Sequence, residues 1–456
     1  MMRPPQPDGL PTPQRYWAIL TVALAITLSV LDGAIANVAL PTIAREVNAS
    51  PAASIWIVNA YQLVIVILML PVASLGEILG FHRVYRVGLA VFTLASLGCA
   101  LSDSLVTLTA ARIVQGIGAA GILSVNAALV RFTYPRHLLG RGIGINALVV
   151  AVAAATGPTV AAAILAVAPW PWLFAVNVPT GILALIAARA LPTVPGSRRR
   201  FDGLSALLNA FFFGLLIMAI DGAGHGEQLG LVALEFAGAA AAGVALVVRQ
   251  LPQTSPLLPI DLLRIPMFAL SIATSVASFA AQMLAYVALP FYLQDVLGRN
   301  QVETGFLMTP WPLTTGVAAS IAGRLTDRYP AGLLGGLGLV VFAAGLALLA
   351  WLPATPGAAD IVWRMAVCGV GFGLFQSPNN RAILTSAPAE RSGGASGMLG
   401  TARLLGQTVG AALVALMFGW FDRGATTVAL MTGAGFALVG AAVSCLRLVG
   451  RRAAGR

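Results

Sequence analysis

The chain has 456 residues, of which 58% are hydrophobic and 9% charged, and its mean hydropathy is +0.88; a soluble domain carries about a quarter charged residues, so this chain cannot cover itself with polar surface in water. All 27 of its basic side chains are arginines, which removes the phosphate-reaching lysine of a P-loop ATPase and the Schiff-base lysine of a retinal or pyridoxal site. The net charge of +11 is spread over loops between apolar runs and not over one solvated face, so it argues for membrane topology and against a nucleic-acid partner.

The polar, Pro-rich stretch 1–16 runs directly into an apolar segment too long for a signal-peptide core, so the first helix is expected to be retained. Apolar runs bounded by Arg, Pro and Gly predict helices at 17–40, 54–75, 85–101, 105–130, 142–167, 172–191, 204–220, 229–248, 267–293, 304–322, 332–352, 361–382, 394–421 and 426–446. That makes fourteen predicted spans of about 20 residues each, the length that crosses ~30 Å of hydrocarbon. With the N-terminus inside, most arginines, among them Arg83, Arg131, Arg324 and Arg447, fall on the cytoplasmic side. Arg45, Arg299 and Arg423 fall outside, and Arg364 lies just within the external end of predicted helix 12. Trp56, Trp170, Trp172, Trp351, Trp363 and Trp420 sit near predicted external ends, as an interfacial aromatic belt requires.

Cys99, Cys368 and Cys445 lie inside apolar spans and imply no disulfide framework. His82, His137 and His225 fall in predicted loops, which leaves no histidine pair to hold a haem in the bundle. No cofactor or metal is implied, and the missing ligands and missing soluble domain disfavour an enzyme. An internal echo organises the chain: Leu75 precedes Glu77 after predicted helix 2, and Leu325 precedes Asp327 after predicted helix 10, each at a cytoplasmic helix end before a tight turn. The echo predicts two related halves of six helices with two helices between them, an arrangement that places a substrate site at mid-membrane.

Several segments carry a resemblance. Predicted helix 1 reads Leu31-Asp32-Gly-Ala-Ile-Ala-Asn37-Val-Ala-Leu-Pro41, helix 4 reads Leu108-Thr-Ala-Ala-Arg112-Ile-Val-Gln115-Gly116-Ile-Gly118-Ala-Ala120, and helix 5 carries Gly144 and Gly157-Pro158. Helix 6 carries Phe174-Ala-Val-Asn177-Val-Pro179-Thr-Gly181, helix 9 ends on Leu289-Pro290-Phe-Tyr292-Leu-Gln294-Asp-Val-Leu-Gly298, and helix 13 holds Gly397 to Gly410 around Arg403. In this order and spacing the chain resembles the fourteen-helix drug:proton antiporters of the major facilitator superfamily. It departs from their pattern at Ala153, Ala161 and Ala162, where the antiporter motif has Gly, and at Glu77, Ile78 and Phe81, where the loop motif has Asp and basic residues.

The resemblance implies an all-α integral membrane protein with the major facilitator fold: a six-helix bundle over 1–201, two extra transmembrane helices over 202–258, a second six-helix bundle over 259–456, and both termini cytoplasmic. It implies a multi-pass, monomeric protein of the bacterial plasma (inner) membrane that exports small amphiphilic or cationic compounds, such as drugs and biocides, in exchange for protons by alternating access. The implied cytoplasmic gate is Glu77, Gly80, Arg83, Asp327 and Arg328, and the implied hinge is Gly157-Pro158, where the proline removes a backbone hydrogen bond and permits a kink.

A charge at bilayer depth is costly, so an ionisable residue there is a functional candidate. Asp32 lies ~12 Å, and Arg112 ~10 Å, from the external ends of their helices at 1.5 Å per residue, and similar depth allows them to pair. Burial raises the proton affinity of a carboxylate and a nearby guanidinium lowers it, so such a pair can take up and release the driving proton as its separation changes. Glu235 and Arg403 are also intramembrane, and each has a structural reading as well as a functional one. Tyr61, Gln62, Asn126, Gln282, Tyr286, Met308, Trp311 and Gln376 are candidate substrate contacts on the facing helices, the few polar and aromatic groups that an amphiphile-binding cavity needs. Two other readings remain open at this level: the same fold exporting a specific metabolite or a self-made antibiotic, and a membrane sensor that has lost transport.

Overall fold

The computed structural model describes residues 9–135, 138–194, 196, 201–224, 228–252, 260–326, 328–388, 392–421 and 424–454. Their main elements are α1 Thr12–Glu46, α2 Trp56–Leu79, α3 Phe81–Ala100, α4 Leu105–Thr133, α5 Leu139–Leu165, α6 Trp172–Ala190 and α7 Gly203–Gly224. Then follow α8 Leu229–Gln250, α9 Pro266–Phe291, α10 as Gln301–Met308 and Pro310–Leu325, α11 Ala331–Ala350, α12 Ala358–Ser386, α13 Ser392–Trp420 and α14 Ala425–Ala454. Helix is what apolar surroundings demand, because each segment satisfies its own backbone groups. Among the described residues, 12 helices are long and apolar enough to cross a membrane. Of the fourteen predicted spans, α5 is the helix Leu139–Leu165, whose apolar stretch among the described residues is Thr156–Leu165. The tenth is interrupted at Thr309, ahead of Pro310, which has no amide hydrogen to continue the ladder.

Local chemistry sets the boundaries. Gly80, at φ +98°, ends α2 and begins α3 with no residue between them, a backbone state that a Cβ would strain. The helix therefore takes in His82, which the sequence had placed in a loop. Ser104 and Thr107 form a capping box at the start of α4, and Asn300 caps α10 by accepting the amide of Glu303 at 2.8 Å.

Helices α1–α6 pack among themselves, and so do α9–α14; the two groups meet where α1 lies on α9, α5 on α10 and α2 on α13. Helix α7 packs on α8 and bridges the α2/α13 seam. Its Asn209 Nδ2 donates to the Ile67 carbonyl at 2.8 Å, and its Ile217 and Ile220 cluster with Ala412 of α13. Leu231, Leu234, Val244 and Val248 of α8 stay exposed, as a lipid-facing surface would be. Trp172, Trp351, Trp363 and Trp420 are exposed near helix ends, in keeping with an aromatic belt. Trp170 is instead buried, its ring edge-on to Phe174, because it sits where the two groups close on each other.

The apolar core differs between the two ends of the bundle. At the end where α1 finishes, one cluster runs through both groups and joins Ile43, Leu165 and Trp170 to Leu289, Leu307 and Ile361. Toward the other end the cores separate, into Tyr85, Leu129 and Tyr134 on one side and Leu262, Phe268, Ile383 and Met398 on the other. The groups therefore share one core at one end, the fused end, and carry separate cores toward the other, where Leu404 of α13 still packs on the first group's core.

Candidate functional site

Within the first group, five helices converge on one carboxylate. Asp32, in the middle of α1, and Arg112, about two turns into α4, are both essentially without solvent exposure. The Arg112 guanidinium donates through Nη1 to Asp32 Oδ2, through the same nitrogen to Gln115 Oε1 at 2.6 Å, and through Nε to the Ile57 carbonyl of α2 at 2.9 Å. The other carboxylate oxygen, Oδ1, accepts from Gln115 Nε2 at 2.9 Å and from Asn177 Nδ2 of α6 at 2.8 Å. Gln115 also donates to Ser96 Oγ of α3 at 2.9 Å. The Tyr61 ring lies 4.0 Å from the guanidinium carbon, and the Tyr61 hydroxyl donates to the Ser29 carbonyl at 3.1 Å.

This geometry explains how a charge pair survives in an apolar bundle. Two ions removed from water are tolerated when most of their other donors and acceptors are also paired; here both carboxylate oxygens and Arg112 Nη1 and Nε are bonded, and Nη2 alone of the guanidinium nitrogens is unpartnered among the described residues. A proton placed on Oδ2 would weaken its bond to the guanidinium. Because Arg112 also holds Ile57, and Gln115 also holds Ser96, such a change acts on α1, α2, α3, α4 and α6 together.

The fused end carries a second polar cluster, this one between the two groups. Thr42 Oγ1 lies 3.1 Å from Gln294 Oε1 and 3.0 Å from Gln301 Oε1, and Gln294 Nε2 donates to the Val38 carbonyl at 3.1 Å. Arg45 donates to Gln294 Oε1 at 3.0 Å and to Asp295 at 3.2 Å. Gln294 and Asp295 sit on a π-helical turn, Tyr292–Val296, just after Pro290; such turns are frequent at functional sites. Gln301 Nε2 closes on the Leu165 carbonyl of α5 at 3.1 Å, and the Thr159 and Thr309 hydroxyls are 2.8 Å apart.

The residues singled out in the sequence are placed as follows. Asp32 and Arg112 come together. Gly157 packs so closely on Ala34, half a turn along α1 from Asp32, that a Cβ there would collide, and the Pro158 carbonyl abuts Gly305 of α10. Glu77, Arg83 and Arg328 are exposed and Gly80 forms the α2–α3 turn; Asp327 lies outside the described residues. Gln62 Nε2 reaches across to Met283 Sδ of α9 at 4.0 Å, and Asn126 Nδ2 donates to Asn146 of α5 at 3.2 Å. Gln282, Tyr286 and Gln376 are half-buried, whereas Trp311 is wholly enclosed between Tyr286 and Phe342, with ring centroids 4.9 and 5.5 Å away. Glu235 is half-buried on α8 with its Oε2 unpartnered among the described residues.

Gln115, Asn177 and Ser96 were not picked out as site residues, nor were Thr42, Gln294 and Gln301. Gln115 carried a usable signal, since i and i+3 share a helix face and set it beside Arg112. Asn177 and Ser96 offered only their polarity within apolar runs.

Residues 22–411 match the sequence profile of the Major Facilitator Superfamily, and the chain belongs to that superfamily. It is 59% identical over 446 residues, 97% of this chain and 98% of the relative, to the uncharacterized transporter YebQ of Escherichia coli. It is 30% identical to the riboflavin transporter RibZ of Clostridioides difficile (89% and 88% covered) and 31% identical to the multidrug resistance protein Stp of Mycobacterium tuberculosis (89% and 76% covered). Among solved structures, a D-xylose–proton symporter shares the fold with a TM-score of 0.67 at 15% identity, covering 94% of this chain and 97% of that one. The chain is thus a multi-pass membrane transporter and not an enzyme.

Proposed function

We propose that this transporter exports small amphiphilic compounds across the bacterial inner membrane in exchange for protons, with Asp32 carrying the proton and Arg112 setting how tightly it is held. The observation that carries the reading is the buried Asp32–Arg112 pair, a titratable carboxylate whose partners bind five helices of one bundle. Resemblance to the drug:proton antiporters, and a multidrug resistance protein among the relatives, support export of amphiphiles. Because all three donors to Asp32 come from its own bundle, substrate does not compete with the proton at this carboxylate; coupling runs through the packing that the carboxylate controls.

In this reading the chain has fourteen spans, with α5 and α10 among them and both termini cytoplasmic, arranged as bundles 1–201 and 259–456 with the pair 202–258 outside. The fused end faces outward and the opposite end faces the cytoplasm. Protonation of Asp32 frees Arg112, and α1 carries the change past Gly157 and Pro158, the hinge, to Thr42 in the outer latch, ten residues or ~15 Å along the helix. The segments with Glu77, Gly80, Arg83, Asp327 and Arg328 close the inner end when the bundles rock. Export of one specific metabolite is the second reading, favoured by the riboflavin transporter among the relatives.

The test is flux in proteoliposomes under an imposed pH gradient. Wild-type protein is expected to move an amphiphilic dye against its gradient, and Asp32→Asn is expected to lose that movement while keeping its helical circular-dichroism spectrum. Wild-type pH dependence in Asp32→Asn would refute the coupling role.

A further inference from the structure

Three arginines are held in apolar helices; Arg112 and Arg447 each keep one buried nitrogen unpartnered among the described residues, Nη2 and Nε respectively, but are bonded through their others. Arg112 has a carboxylate, a side-chain amide and a backbone carbonyl. Arg447 has Ser271 Oγ at 3.0 Å, Asn379 Oδ1 at 2.8 Å and Ser444 Oγ at 2.6 Å. Arg403, in the middle of α13, has neither a hydrogen bond nor an ion pair among the described residues. Its Nε is buried without a partner among the described residues, and its guanidinium carbon lies over the face of Phe279 of α9, 5.7 Å from the ring centroid.

The neighbours of Arg403 fix where it points. On one side of it along α13, Gly406 and Gly410 lie against Val276, Phe279, Ala280 and Met283 of α9; on the other, Gly400 meets Met69 of α2. At 100° per residue the direction of position 403 falls between those two faces. The guanidinium therefore lies in the seam between the bundles, beside Phe279 of the core shared by both groups and next to Leu404, which packs on the first group's core, and the side chain is half-buried there. It lies eleven residues, or ~16 Å, into its helix, too deep for its head to reach the near interface by extending along the surface. A bracing arginine would bond carbonyls or hydroxyls, as Arg447 does; this one leaves its donors to whatever enters the seam.

We propose that Arg403 is the anion-recognising group of the substrate site, and that the exported amphiphile carries an oxyanion, a carboxylate or its chemical equivalent, on an apolar body. The inference rests on the transporter reading above and narrows its substrate class away from cations. The guanidinium fork takes a carboxylate through two parallel N–H donors, which a neutral or cationic ligand cannot use. Phe279, packed edge-on to Phe372 at 5.4 Å, supplies a rigid apolar wall beside that fork.

Equilibrium dialysis of the purified full chain in detergent, with 1-pyrenebutyrate and its neutral counterpart 1-pyrenebutanol as probes, tests the proposal without any ion gradient. The wild type is expected to prefer the butyrate by about tenfold or more, the worth of a charge-assisted pair out of bulk water. Arg403→Gln is expected to abolish that preference and leave butanol affinity unchanged, and Arg403→Lys to retain part of it. Equal or absent binding of the two probes in the wild type, a preference that survives Arg403→Gln, or a Gln variant that loses both probes alike would each overturn the proposal. Failure of pH-driven flux would sink the antiport reading and leave this result readable, and the converse also holds.

Discussion

Each six-helix group buries an arginine that ties helices together, yet the two are satisfied by different chemistry. Arg112 in the first group faces the carboxylate of Asp32. Arg447 in the second faces two serine hydroxyls and the amide oxygen of Asn379, whose Nδ2 donates to Ser275 Oγ at 2.8 Å. Hydroxyl and amide dipoles carry no titratable proton site, whereas a carboxylate does. On the function proposed above, proton sensitivity belongs to one half of the molecule and the other cluster is a brace.

The comparison breaks most visibly at Asp32. Asp32→Asn keeps the shape and the Oδ1 acceptor but leaves the Arg112 charge uncompensated, a change that costs about 3–5 kcal/mol in a buried pair. We expect pH-driven flux at the level of empty vesicles and a clearly lower melting temperature in detergent. Asp32→Asn combined with Arg112→Gln is expected to recover most of the melting temperature and none of the flux. Recovery of flux in the double variant would move the proton site elsewhere. Arg447→Gln is expected to cost less, about 1–3 kcal/mol for its lost hydrogen bonds, and to lower melting without moving the pH profile of transport. A displaced profile would end the division between switch and brace.

Legibility in the sequence tracked how much each feature depends on one helix alone. Hydropathy located the helices, because a lipid-facing segment must be apolar over its whole length whatever it packs against. Asp32 and Arg112 were legible for the same reason, as charges where none is cheap. The break at Thr309 follows from Pro310 but was not predicted, since the apolar run continues across it. Trp311 looked like a ligand contact from its depth, and only the packing of α10 on α11 and α12 shows it enclosed. The latch was not legible at all. Thr42, Gln294 and Gln301 are ordinary interfacial polar residues until α1 is laid against α9 and α10, a pairing that no local pattern encodes.

Within the latch the same contrast between buried and solvated polar groups recurs on a smaller scale. Gln294→Leu removes the partner of Thr42, of Arg45 and of the Val38 carbonyl at once. At about 0.5–1.5 kcal/mol per bond, this should shift the fused end toward opening by several-fold or more. The shift is readable as faster modification of Thr159→Cys by an impermeant maleimide, in a background lacking the exposed Cys445. Asp295→Asn is the smallest change expected. The Arg45–Asp295 pair is 58% and 41% exposed, so its charge is screened by water and salt and is worth no more than about 1 kcal/mol. Labelling should then change less than about twofold at 0.15 M salt, with a somewhat larger effect at low salt. An Asp295→Asn effect equal to that of Gln294→Leu would mean that the ion pair, and not the buried amide, holds the two bundles together at this end.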